Sequence, residues 1–84
     1  MKENIKKAVD RFIDKYSIEI IDKVISMRQS GFIHIYLVSP YFSNIPEYKK
    51  REDLFWEFLD NELFPEEISR ISICRFMAPE EVGQ

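Results

Sequence analysis

The stretch Phe32-Ile33-His34-Ile35-Tyr36-Leu37-Val38-Ser39 decides the fold, because its apolar and β-branched residues alternate with a polar or aromatic set. Such a run is too short for a buried helix and fits one strand of a sheet. The two-residue period puts Ile33, Ile35 and Leu37 on one face, and Phe32, His34 and Tyr36 on the other. A one-residue slip would exchange the two faces, so the alternation also fixes the register.

Working back from Phe32, Arg28-Gln29-Ser30-Gly31 contains one of only two glycines in the chain and reads as a hairpin loop. Before it, Ile18-Glu19-Ile20-Ile21-Asp22-Lys23-Val24-Ile25 is dense in β-branched residues and reads as the partner strand. Earlier still, Ile5, Ala8, Val9, Phe12, Ile13 and Tyr16 recur at spacings of three and four, the signature of an amphipathic helix over 3–16.

Working forward from Ser39, Pro40 and Pro46 bracket a connecting loop, and Pro46 suits the first turn of a second helix. Tyr48, Leu54, Phe55, Phe58 and Leu59, with Trp56 beside them, give that helix its apolar face, and Pro65 ends it. After a turn at Glu66-Glu67, residues 68–77 read as a last strand, with Ile71 and Ile73 expected inside and Ser72, Cys74 and Phe76 on the opposite face. The fold class is therefore α+β in the order α-β-β-α-β. The crossover through the second helix makes the last two strands parallel neighbours, giving a mixed three-stranded sheet with both helices on one face.

Composition narrows the function. At 84 residues the chain supports a single domain over 1–84 with a thin core, and 32% charged residues of both signs mark a globular surface. Its single cysteine, Cys74, cannot close an intramolecular disulfide, and Met1-Lys2-Glu3-Asn4 lacks the apolar run of a secretory signal; both point to a reducing cytoplasm. The longest apolar run is far shorter than a membrane-spanning helix requires. A net charge of −3 weighs against a dedicated nucleic-acid binder.

The order of elements and four strings resemble the BolA family, whose fold is related to the type II K-homology fold. Ile18-Glu19-Ile20-Ile21-Asp22 resembles the family's first strand, and Leu37-Val38-Ser39-Pro40-Tyr41-Phe42 its second strand and the loop that follows. Arg51-Glu52-Asp53-Leu54-Phe55-Trp56-Glu57-Phe58-Leu59 is similar to its second-helix pattern, and Ala78-Pro79-Glu80-Glu81 to its closing Thr-Pro-Glu. The likeness spans about residues 16–81 and implies a regulatory module that pairs with a monothiol glutaredoxin. The family's histidine places hold Phe32, Glu52, and Ser69 or Arg70, and Asn44 stands where a glycine is expected after Phe42. A shared iron–sulfur cluster therefore does not carry over, and no cofactor or metal is expected.

Two sets of residues remain as candidate surfaces. Phe32, His34, Tyr36, Cys74 and Phe76 are expected on the uncovered sheet face, where they would dock a protein partner or a second copy in a homodimer. Adjacent strands would also bring His34 and Cys74 side by side, too few ligands to hold a metal alone. Lys49, Lys50 and Arg51 begin the second helix as a basic cluster, the basis of an alternative nucleic-acid-binding reading, though K-homology domains clamp the backbone with a Gly-x-x-Gly loop absent here. No nucleophile and base are placed to act together, so the chain reads as a binding module and not an enzyme.

Overall fold

The computed structural model describes residues 2–83; Met1 and Gln84, the ends of the expected domain, lie outside the described residues. Helix α1 (Lys2–Lys15) buries Ile5, Ala8, Val9 and Phe12, the stripe its spacing predicts. It stops where Ser17 adopts a left-handed φ of 49°. Around that residue the Ser17 N–H donates to the Asp14 carbonyl and the Ile18 N–H to the Ile13 carbonyl, the paired bonds of a Schellman cap. Ile18 is buried as the apolar contact of that cap. Residues 18–20, expected in the first strand, are thus spent on leaving the helix; the Ile21 N–H already donates to the Val38 carbonyl, and β1 covers Asp22–Met27.

A turn with Gly31 at φ 88° leads into β2 (Ile33–Val38). Its closing bonds run from the Gly31 N–H to the Arg28 carbonyl and from the Arg28 N–H to the Phe32 carbonyl. After β2 the chain makes a short 3-10 turn over Pro40–Asn44, where the buried Ser39 hydroxyl accepts from the Tyr41 N–H. Helix α2 covers Tyr48–Asp60, so Pro46 stands just outside the helix and not in its first turn. Pro65 likewise does not end α2, which already stops at Asp60; it opens a single-turn helix, α3 (Pro65–Ile68), in place of the expected turn. Strand β3 is Ile71–Met77, and a last 3-10 turn spans Pro79–Glu81.

The sheet has the order β1-β2-β3, with β1 antiparallel and β3 parallel to β2, the mixed α+β architecture expected from the sequence. Ile33, Ile35 and Leu37 face the helices and are fully buried with Phe12, Phe55, Leu59 and Phe76. Phe12 meets the Phe55 ring edge-on at 5.2 Å, and Phe55 meets Phe76 at 4.8 Å, so α1, α2 and β3 share one aromatic centre.

The alternation expected along β3 breaks at Ser72. Ile33 pairs with Ile71, but His34 pairs with Ile73, so Ser72 is an extra residue on β3, a β-bulge. Beyond it every side chain changes face. Ile73 is 47% exposed, whereas Phe76 is fully buried and Cys74 packs partly against the core. Burying a phenylalanine contributes roughly 2–3 kcal/mol, which outweighs leaving Ile73 half in water.

Candidate interaction surface

The side of the sheet away from the helices carries three cross-strand rows. They are Asp22–Val38–Met77, Val24–Tyr36–Arg75 and Ser26–His34–Ile73, each read along β1, β2 and β3. Val24 is 46% and Ile73 47% exposed, at opposite edges of the sheet, while Tyr36, His34 and Met77 are half-buried between their neighbours and Val38 is buried. Phe32, one residue before β2, is exposed beside a depression that it lines with Glu66, Ser69 and Arg70. The surface is therefore mainly apolar, with one acid (Asp22) and one permanent cation (Arg75) that have no ion-pair partner among the described residues.

Of the residues expected on this face, His34 and Tyr36 lie on it and Phe32 on its rim. Cys74 and Phe76 do not. The bulge turns both toward the helices, and Cys74, paired with Ile35 where His34 pairs with Ile73, lies on the opposite side of the sheet from His34. The two cannot act together or share a ligand within one chain. Burial, reinforced by the nearby charge of Glu52, pushes the Cys74 thiol up to about 12, so it is neither a ready nucleophile nor a ready metal ligand.

The basic cluster also divides. Lys49 and Lys50 are exposed at the start of α2, and each has an acid within one turn, Asp53 at 3.2 Å and Glu47 at 3.1 Å. Arg51, expected beside them on the surface, is buried. Its Nε donates to the Ile45 carbonyl at 2.7 Å and its Nη1 to the Phe76 carbonyl at 2.8 Å, and both terminal nitrogens grip Glu81, at 2.7 and 3.0 Å. The guanidinium, first, and the Ala78 N–H hold the Glu81 carboxyl down to about 2. Tyr48 completes the arrangement, its hydroxyl accepting from the Phe76 N–H and donating to the Cys74 carbonyl. Side chains of α2 thus close the outer edge of β3 between Cys74 and Phe76. Arg51 was recoverable from the sequence, since Tyr48, Arg51, Phe55 and Leu59 fall at helical spacing on the inward stripe.

Val24, Ile73, Arg75 and Met77 belong to the open face without having been expected there. Only the phase change at Ser72 puts the last three outside, and no glycine or proline marks it. Among the described residues no three His, Cys, Asp or Glu side chains gather in a way that could hold a metal ion, and no helix is long and apolar enough to cross a membrane. No protein-family model, no curated protein and no solved structure matches the chain.

Proposed function

We propose that this chain is a non-catalytic binding module that docks a protein partner on its uncovered sheet face, in the manner of a BolA-like regulator. The observation that carries the reading is the asymmetry of the sheet. Both long helices lie on one side, and the other presents Val24 and Ile73 half-exposed at its two edges with Tyr36 and Met77 half-buried between them. In a chain this small, so much of a sheet left without a second layer is the usual mark of an interface. The separation of His34 from Cys74 supports a binding role over a catalytic one. A buried thiol with so little thiolate character fits a partner recognised through surface contacts, not through a shared cluster.

A nucleic-acid role draws less support. The two exposed lysines of the basic cluster are matched by acids one turn away, the third cation is buried, and phosphate binding needs uncompensated positive charge.

Site-specific photo-crosslinking in the native cell tests the reading. A benzoylphenylalanine at position 24 or 73 is expected to capture protein, and the same group at Lys49 to capture none. Capture from Lys49 alone, or of nucleic acid from the sheet face, would overturn it.

A further inference from the structure

The open face has charges that select among its occupants, and this inference rests on that face being the interface. We propose that the partner is a second copy of this chain, packed face to face about a two-fold axis parallel to β2.

Within its three rows the face carries one acid and one permanent cation, Asp22 on β1 and Arg75 on β3, in adjacent rows, with Arg28 beside Phe32 beyond the last row. A two-fold axis between two stacked sheets and parallel to β2 lays β1 of one copy over β3 of the other. Asp22 then comes one row from Arg75 of the second copy, a lengthwise offset of about 6–7 Å that an aspartate and an arginine span across sheets about 10 Å apart. The symmetry makes this contact twice. Turning the axis perpendicular to the strands and passing it through the middle row instead sets Arg75 over its own copy, with two like charges facing each other. The charges thus favour one of the two simple stackings, and in it His34 and Tyr36 of β2 meet their own counterparts along the axis.

Apolar residues fit the same geometry. Row by row, Val24 lies over the aliphatic stem of Arg75 of the second copy, Met77 over Asp22 and Ile73 over Ser26, so both half-exposed apolar side chains are covered, each by a polar residue's stem or a small side chain. Area sets the strength. Three strands about 4.8 Å apart and five residues at about 3.3 Å outline roughly 15 × 17 Å, below the roughly 800 Å² per partner of a standard interface. The dimer is therefore weak and concentration-dependent, dissociating in the micromolar range or above.

Sedimentation velocity of the full chain from micromolar to millimolar concentration tests this, with Arg75→Asp, Asp22→Arg and the double exchange beside it. Both substituted residues are exposed, and circular dichroism is the check that each variant folds. A reversible monomer–dimer equilibrium is expected, weakened about tenfold by either single change and restored within about threefold in the double exchange, because two symmetric ion pairs are lost and regained. A monomer at every concentration, or a dimer indifferent to Arg75→Asp, would overturn the proposal. Crosslinking at Val24 and Ile73 separates the two failures. Capture of a different protein while the purified chain stays monomeric sinks the second copy and leaves the interface standing; no capture from either position sinks both.

Discussion

Phe64-Pro65-Glu66-Glu67 and Ala78-Pro79-Glu80-Glu81 repeat one local plan with different consequences. In each, a proline starts a turn and the second glutamate reaches back to the N–H of the residue before the proline, Glu67 to Phe64 at 3.0 Å and Glu81 to Ala78 at 2.8 Å. The backbone solution is the same, and the difference lies in what else the carboxylate holds. Glu67 takes a neutral donor, the Asn4 amide at 2.9 Å, joining α3 to the start of α1. Glu81 takes a buried guanidinium through both oxygens. A turn that only needs its own N–H satisfied is a local device. A turn whose acid neutralises a cation inside the protein is part of the core, although its own chain lies at the surface.

The largest effect should come from the cation. Arg51→Leu leaves the Ile45 and Phe76 carbonyls without their donor and Glu81 without its cation, and is expected to lower stability by roughly 3 kcal/mol in urea denaturation. A loss below about 1 kcal/mol would make the second turn as local as the first.

Next comes the acid itself. Because Glu81 is held down to about 2 in the folded protein against an ordinary value of 4.5, its contribution is complete above pH 4.5 and is lost as pH falls toward 2. Glu81→Gln should flatten the acid limb of the stability profile across that window. Glu67 is also lowered, first by the Phe64 N–H and then by Asn4, so Glu67→Gln should flatten the limb in the same direction but less. Equal slopes in the two variants would erase the distinction.

Tyr48→Phe removes the hydroxyl that bridges the β3 edge beside Arg51. It should cost about 1 kcal/mol, with faster amide exchange at Phe76 as the local readout. The smallest change belongs to the first turn: Asn4→Ala removes one part-buried hydrogen bond to the Glu67 carboxylate, which keeps its bond from the Phe64 N–H, and should cost somewhat under about 1 kcal/mol by thermal melting.

Much of the fold was legible because most elements obey their own periodicity. The stripe Ile5, Ala8, Val9, Phe12 and the alternation Ile33, Ile35, Leu37 are buried as their spacing requires. The errors have physical causes. β-branched density at 18–21 could not reveal that Ser17 would take a left-handed turn and use Ile18 as a cap contact. Alternation from Ile71 to Phe76 could not reveal the bulge, because the serine that forms it is as ordinary in a strand as in a loop. That single extra residue moved Cys74 and Phe76 off the candidate surface and put Ile73, Arg75 and Met77 on it. Arg51 was misassigned for another reason: its neighbours Lys49 and Lys50 suggest a solvated run, and only its place on the inward stripe says otherwise.

The closed edge of β3 bears on how this chain can associate at high concentration. In the language of polymer chemistry, a sheet with two pairable edges is a difunctional monomer, and strand-to-strand addition lets it grow without limit into fibres. Tyr48 and Arg51 occupy the polar groups of the β3 backbone between Cys74 and Phe76, and among the described residues no side chain does the same for β1. A monomer with one reactive end couples once and stops. Over Cys74–Phe76 those two side chains play the part of a chain terminator, capping the groups through which a further strand would add.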